Sequence, residues 1–142
     1  LSKCAFPLSS YNKYQSFKIY LLDVGLLRRM TDLDSNIIID GNRLFEEFKG
    51  SFTENFVCSM LTEKFDSDLH YYTFDRKKID FVIQYKNNII PIEVKAADNT
   101  KAKSLKIYMD KYKPAYAIKL TAKNFGYEDG KKQVPLYAAF CI

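Results

Sequence analysis

The clearest alternation of apolar and polar positions lies between Lys78 and Lys95, in the stretch KIDFVIQYKNNIIPIEVK. Two runs rich in Ile, Val, Phe and Tyr flank Asn87-Asn88, and asparagine tolerates the positive φ angles that a two-residue hairpin turn requires. The pattern therefore predicts an antiparallel β-hairpin with Asn87 and Asn88 as its loop.

A two-residue loop at Asn87-Asn88 decides which side chains share a face of this hairpin, because side chains alternate along a strand. It places Val82 opposite Glu93 and Asp80 opposite Lys95. The other face carries only apolar and aromatic side chains: Phe81, Ile83, Tyr85, Ile90, Ile92 and Val94. We therefore expect Asp80, Glu93 and Lys95 to cluster at the far end of the mixed face.

A helical period predicts a helix over about residues 52–65, with Ser51 as its N-cap. Glu54 is the exception in this helix, because it lies on the apolar arc in line with Cys58 and Leu61. Two interpretations are open, and they do not exclude each other. Glu54 has the spacing of a capping-box partner for Ser51, and it is also suited to be a functional carboxylate, since a carboxylate on an apolar face needs a partner.

The remaining periodic segments predict a strand over residues 69–74, a helix over 102–113, a strand over 115–120 and a last strand over 133–140. The strand–helix–strand path after Lys95 predicts a parallel crossover. Residues 17–23 (FKIYLLD) predict a strand or a short helix and residues 24–30 a helical turn or two, but residues 1–47 otherwise show no sustained period. They are predicted to be a connecting segment.

The composition fits one globular domain with a polyanionic partner. The chain has 142 residues, of which 47% are hydrophobic, enough for one core. Twenty-two Lys and Arg against 17 Asp and Glu give a formal charge of +5, which suits nucleic acid, although a mildly basic surface is often only solvated. The three cysteines lack metal-site spacing, which favours a reducing, cytoplasmic location. No apolar run approaches the roughly 18 residues of a membrane span.

Asp80, Glu93 and Lys95 suit metal-assisted chemistry on a phosphate. Two neighbouring carboxylates repel each other unless a cation lies between them. Mg²⁺ commonly takes one or two protein carboxylates and accepts phosphate oxygens, and a neighbouring lysine can orient an attacking water. The alternative is an ion-paired strand end without a bound ion, because Glu-x-Lys triplets are common.

The helix predicted over residues 102–113 has a basic outer face. Its lysines, with one just before the helix, are Lys101, Lys103, Lys106 and Lys113. Such a face usually serves solvation. The alternative is contact with the phosphates of a nucleic acid, for which Lys101, Lys103 and Lys106 are the candidates.

The order of these elements is similar to the αβββαβ core of the PD-(D/E)XK nucleases. That restriction-endonuclease-like α/β fold has a mixed sheet flanked by helices, and here Glu54 lies on the first helix, Asp80 on the second strand, and Glu93 and Lys95 on the third. More narrowly, FKGSFTENFV, IDFVIQYKNNIIPIEVKA and KSLKIYMDKYKPAYAIKL resemble the uncharacterised C-terminal domain of bacterial and archaeal AAA-type ATPases. Ile79 stands where the nuclease motif has proline.

The resemblance implies metal ligation by Asp80 and Glu93, a catalytic role for Lys95 and a supporting role for Glu54. It implies a nuclease-like domain at residues 48–142 that hydrolyses DNA with Mg²⁺, and it makes residues 1–47 the remnant of a link to an N-terminal ATPase domain, the expected partner. The chain has no G-x-x-x-x-G-K-[ST] motif, so we expect no ATPase activity from it. The alternative function is a catalytically inactive module that binds protein or nucleic acid for the ATPase.

Overall fold

A computed structural model of the chain describes residues 1–34, 36, 43–65, 69–96 and 102–142, with the backbone alone for 43–47. The helices are α1 (Val24–Met30), α2 (Arg43–Lys64) and α3 (Lys103–Tyr112). The strands are β1 (His70–Phe74), β2 (Lys77–Tyr85), β3 (Asn88–Lys95), β4 (Ala117–Thr121), β5 (Gly126–Glu128) and β6 (Lys131–Pro135). Two 3₁₀ segments, Leu8–Tyr11 and Leu136–Cys141, complete the described elements.

The strands form one mixed six-stranded sheet in the order β1-β2-β3-β4-β6-β5. The first three strands are an antiparallel meander. β4 lies parallel to β3 across the α3 crossover, β6 lies parallel to β4, and β5 closes the edge antiparallel to β6. The predicted α/β class, with a mixed sheet flanked by helices, is confirmed.

Each face of the sheet carries its own apolar layer. On one face α2 contributes Val57 and Leu61, which pack on side chains such as Phe81, Ile92 and Leu120. On the other face α3 contributes Leu105 and Tyr108, which pack on Tyr72, Phe74, Ile79, Val82 and Ala117. The apolar arcs of both helices are therefore buried against opposite sides of the same strands.

The loop of the β2–β3 hairpin differs from the prediction by one residue. Tyr85 pairs with Asn88 and Val82 with Pro91, so the two loop residues are Lys86 and Asn87, and Lys86 adopts φ +54°. The predicted Asn87-Asn88 loop, and with it the pairing of Val82 with Glu93 and of Asp80 with Lys95, is wrong. Each β2 residue therefore pairs with a β3 residue two positions earlier than predicted. Because side chains alternate along a strand, a shift of two positions leaves the same side chains on each face.

An additional residue in β2 interrupts the regular pairing with β1 beside Asp80. His70 pairs with Val82 and Tyr72 with Ile79. Between these two pairs, β1 contains one residue and β2 contains two. Ile79 and Val82 consequently both point into the α3-side layer. Such a bulge changes the direction of nearby side chains and ends regular pairing, and Asp80 lies within it.

The first residues of the chain, predicted to be a connection, pack against the sheet. Cys4 and Leu8 are buried in the α3-side layer, and the Leu8 amide donates to the side chain of Gln84 at 3.0 Å. Further along, the buried Asn55 of α2 holds the backbone of Leu21, accepting from its amide at 2.8 Å and donating to its carbonyl at 3.1 Å.

The structure corrects the predicted start of the long helix. α2 begins at Arg43, so Ser51 lies inside the helix and is not its N-cap. The capping-box interpretation of Glu54 is therefore wrong, because Ser51 has an ordinary helical backbone position with no free terminus beside it.

The C-terminal strand also differs from the prediction. Asp129 and Gly130 both have positive φ, +48° and +73°, and form a tight turn between β5 and β6. The last strand ends at Pro135, and residues 136–141 form a 3₁₀ segment. Aspartate followed by glycine is a strong hairpin signal, and it could have predicted this turn.

Replacing Gly50 by alanine is expected to stabilise the protein by about 0.5–1 kcal/mol. Gly50 lies within α2, and an added Cβ would meet no atom within 4 Å, so the substitution reduces backbone freedom in the unfolded chain without a clash. Urea denaturation measures the change. Gly130→Ala is the matched control and should destabilise, because Gly130 has φ +73° and its Cβ would lie 3.2 Å from Met109. A destabilised Gly50→Ala variant would contradict the helical assignment there.

Candidate active site

All four side chains predicted to form the site line one cleft of about 450 Å³. It opens where α2, β2, β3 and the start of α3 meet, and Glu54, Asp80, Glu93 and Lys95 contribute to its walls. The bulge in β2 brings Asp80 to the cleft, and the alternation of β3 brings Glu93 and Lys95 to it from the same side of their strand. The structure thus brings together the residues that the sequence placed on three different elements.

Glu93 is the most buried charged group of the cleft. Only 4% of its side chain is exposed, and Oε1 accepts from Lys95 Nζ at 2.7 Å. Among the described residues, its buried Oε2 atom has no hydrogen-bond partner. Burial raises the pKa of Glu93, and the charge of Asp80 raises it further, while Lys95 partly opposes both effects.

Asp80 is held by one backbone and one side-chain partner. Its Oδ2 accepts from the Val94 amide at 2.9 Å, so the carboxylate bridges from β2 to β3 where regular strand pairing has ended. Its Oδ1 lies 3.0 Å from Lys78 Nζ. The lysine paired with Asp80 is therefore Lys78, and the predicted cross-strand pair with Lys95 is wrong because of the shifted register.

Glu54 joins the cleft through three donors. Its Oε1 accepts from Lys18 Nζ and from the hydroxyl of Tyr20, and its Oε2 accepts from Lys78 Nζ at 2.9 Å. Burial alone would raise the pKa of Glu54, but the three hydrogen bonds outweigh it and leave the pKa below its ordinary value. Glu54 is thus an ionised carboxylate that is tied to the N-terminal segment and, through Lys78, to Asp80.

Among the described residues, the ion-paired cluster has equal numbers of acidic and basic groups, three carboxylates and the three lysines Lys18, Lys78 and Lys95. Glu54, Asp80 and Glu93 face three lysines, and Lys78 contacts two of the carboxylates. Burial lowers the pKa of Lys78, but attraction to Asp80 and the bonds with Glu54 outweigh it and raise the pKa. For Lys18 burial prevails, so its pKa is lowered although Glu54 opposes the change. Lys78 is therefore the positively charged group that links Glu54 to Asp80.

Sequence reasoning missed Lys18, Tyr20 and Lys78. Lys78 precedes Asp80 by two residues, and this i, i+2 spacing on a strand was the available signal. Lys18 and Tyr20 have the same spacing, and an extended segment would have placed both on one side. Nothing in the local sequence showed that this segment lies beside α2.

Two of the three lysines predicted for nucleic-acid contact do not line the cleft. Lys103 and Lys106 are exposed on α3, and neither lines the cleft, although the intervening Ser104 does. Lys101 lies outside the described residues. Their contact with nucleic acid stays a prediction.

The side chains of this cleft could bind a small hard cation only through two carboxylates. Within the described ranges, no three His, Cys, Asp or Glu side chains are placed as joint ligands of one metal ion. Mg²⁺ needs only one or two protein carboxylates and keeps several waters. The Oε2 atom of Glu93 could supply one such oxygen, since it is buried and without a partner in the described part of the chain. Oδ1 of Asp80 would supply a second only if Lys78, now 3.0 Å away, moved aside.

Comparison with known families places residues 49–139 in the domain of unknown function DUF4143. The match spans well over half of the chain, so the protein belongs to this family, whose domains often lie C-terminal to AAA-type ATPases. No curated protein and no solved structure matches the chain. In the described ranges no helix is both long enough and apolar enough to cross a membrane.

Replacing Glu93 by glutamine is expected to raise the melting temperature at neutral pH without added metal. A carboxyl whose pKa is raised by folding destabilises the folded state as pH rises above its unfolded value of about 4.3. Glutamine removes that cost, and the released Lys95 is 30% exposed and can be solvated. Thermal melts from pH 4 to pH 8 should show the two proteins converging at the acidic end. If the melting temperature of Glu93→Gln relative to wild type were lower at pH 8 than at pH 4, the expected direction of the effect would be wrong.

Proposed function

We propose that this domain is a Mg²⁺-dependent nuclease that hydrolyses phosphodiester bonds of DNA. The observation that carries the proposal is the buried Glu93 carboxylate, which keeps one oxygen without a partner among the described residues in a cleft shared with Asp80 and Lys95. Lys95 compensates the charge at Oε1, and the buried Oε2 stays costly until it gains a partner such as a cation or a proton. The cleft is open enough for both a hydrated ion and a phosphate group.

The arrangement of elements supports a PD-(D/E)XK nuclease-like, restriction-endonuclease-like core. α2, β1, β2, β3, α3 and β4 follow one another in the αβββαβ order, and the antiparallel meander is followed by a parallel crossover. Glu54, Asp80 and the Glu93–Lys95 pair lie on the first helix, second strand and third strand of that order. Ile79 in place of the motif proline is the one departure beside Asp80.

Asp80 and Glu93 would hold the ion, and bound Mg²⁺ would supply stabilisation of the negative charge that develops on the phosphate. Lys95 Nζ, fixed 2.7 Å from Glu93, would donate a hydrogen bond that orients the attacking water and would stabilise the negative charge that develops on it. Lys78 would leave Asp80 Oδ1 and keep its bond to Glu54. In this arrangement Glu54 acts as a positioning residue for Lys78.

The occurrence of the family beside AAA-type ATPases supports a role as the effector half of such a protein. DNA is then the substrate of this domain, and the ATPase is its covalent partner. The excess of basic residues, with a formal charge of +5, is favourable for binding a polyanion.

Calorimetric titration of Mg²⁺ into the wild type and into Asp80→Asn tests the proposal. We expect the wild type to bind one ion and the variant to lose at least tenfold in affinity, because asparagine supplies a neutral oxygen. Asp110→Asn, at an exposed aspartate of α3, is the matched control. Lys78→Met should bind Mg²⁺ more tightly than the wild type, since the competing ammonium is gone. Equal heats for all four proteins would exclude an ion at this cleft.

A second candidate function is a catalytically inactive module that binds protein or nucleic acid. The observation that favours it is the equal number of lysines and carboxylates in the cluster, which needs no ion for neutrality. This candidate predicts no Mg²⁺ heat and no cleavage. It also predicts that Asp80→Asn leaves partner binding intact.

A further inference from the structure

A second cleft, of about 390 Å³, lies on the other side of Lys18 and Asp80. The N-terminal segment forms one wall, and α2 and β1 form the other. Asp80 lines both clefts, so the two clefts adjoin at this residue. Its volume falls within the range of about 300–1,000 Å³ that small-molecule sites occupy.

The walls of this second cleft are rich in aromatic rings. They are Tyr14, Phe17, Tyr20, His70, Tyr71 and Phe81. Phe81 is buried at 2% exposure, whereas Phe17 is 73% exposed and Tyr14 85% exposed at the rim. Large apolar rings left in water beside a cleft are a feature of ligand-binding surfaces.

The cleft combines these rings with a cation and with short polar side chains. Lys18 Nζ lies 5.0 Å from the centroid of the Tyr71 ring, within the distance of a cation–π contact. Asn12, Ser16 and Thr62 add hydrogen-bonding groups to the lining. A flat ring with polar edges and a π face complements such a surface, and a purely aliphatic ligand does not.

We propose that this cleft binds one unpaired nucleobase of a polynucleotide whose adjacent phosphate lies at the Asp80–Glu93 cleft. The inference rests on the proposed nuclease function and adds the substrate class, single-stranded or locally unpaired nucleic acid. A base inside a duplex is stacked and paired, and it reaches such a pocket only after it leaves the helix. Aromatic stacking tolerates every base because each has a π face, so the site is expected to discriminate strandedness more than sequence.

Fluorescence anisotropy with three labelled 12-nucleotide probes tests the proposal in Ca²⁺ buffer at fixed ionic strength. The probes are a single strand, the same strand with abasic sites at its central positions, and the matching duplex. All carry the phosphate backbone, so loss of affinity for the abasic strand isolates the base. We expect the single strand to bind at least tenfold more tightly than either other probe.

Phe17→Ala should weaken binding of the intact single strand by about 5- to 100-fold, the range that stacking on one ring supports, and should leave the abasic strand unaffected. Phe17 is largely exposed, so its removal does not threaten folding. Phe125→Ala, at a ring that is 60% exposed between β4 and β5, is the matched control and should change nothing.

Equal affinities for the intact and abasic strands, or equal effects of Phe17→Ala and Phe125→Ala, would overturn the base-binding proposal. So would the absence of binding to every probe. The phosphodiesterase proposal is judged separately by the Mg²⁺ titration of Asp80→Asn, which involves no oligonucleotide. Normal Mg²⁺ binding with base-independent DNA affinity would therefore remove this inference and leave the proposed function standing.

Discussion

Lys95→Ala is expected to slow Mg²⁺-dependent DNA cleavage by about 100- to 1,000-fold, the range typical of a lost donor that stabilises developing charge. Lys95 Nζ lies 2.7 Å from Glu93 in the cleft, where it would contact the attacking water and not the bulk of the substrate. The effect should therefore appear in the single-turnover rate, and the DNA affinity measured in Ca²⁺ should change by less than about threefold.

Lys106→Ala is the control for this experiment, because Lys106 is an exposed lysine that does not line the cleft. If it contacts phosphate, it should weaken affinity and reduce the salt dependence without a change in rate. Removing Lys95 also leaves Glu93 without its counter-ion, so thermal melts with and without Mg²⁺ must show that the variant is folded. A Lys95→Ala variant that loses affinity as strongly as rate would place this lysine on the substrate backbone.

Glu54→Gln is expected to lower the free energy of unfolding at neutral pH by about 2 kcal/mol. Glu54 accepts from Lys18, Tyr20 and Lys78, and bonds to charged groups contribute about 1.5–3 kcal/mol each when made in isolation. The full sum is not expected, since Lys78 is 41% exposed and regains water. Urea denaturation measures the difference, with Glu63→Gln, at an exposed position of the same helix, as control.

The stabilisation from Glu54 should depend on pH with a defined sign. Folding lowers the pKa of Glu54, so its contribution is present above the unfolded value of about 4.3 and is lost as pH falls through the folded pKa. Wild type and Glu54→Gln should therefore converge in stability on acidification. If the difference in stability between the two proteins stayed constant down to pH 3, the substitution would act through lost packing and not through the lost charge.

The sequence predicted which side chains share a face of the central hairpin, but it did not predict which residues pair across the hairpin. Alternation alone puts Glu93 and Lys95 on one side of β3. Any two-residue loop in this hairpin also leaves the same β2 side chains on that side. Which two residues form the loop depends on small differences in turn energy. Asn87 and Asn88 tolerate positive φ, yet Lys86 adopts φ +54°, in a register that pairs Ile83 with Ile90.

The candidate site could be located from sequence, but its ion pairs could not. Asp80 and Glu93 converge as predicted, whereas the partner of Asp80 depends on the register and on the bulge beside it. Two of the three partners of Glu54, Lys18 and Tyr20, come from more than 30 positions earlier in the chain. No periodicity links Lys18 to Glu54, since that contact arises only when an irregular segment lies against α2.

The side chain of Asn55 acts on Leu21 as a peptide group of a neighbouring strand would, with one donor and one acceptor. Together with the burial of Cys4 and Leu8, this contact makes the N-terminal residues part of the cooperative folding unit. The family match begins only at residue 49. A fragment trimmed to residues 49–139 would uncover the apolar surface beneath Leu8 and remove Lys18 and Tyr20 from Glu54, and it should therefore aggregate even though it contains Glu54, Asp80, Glu93 and Lys95.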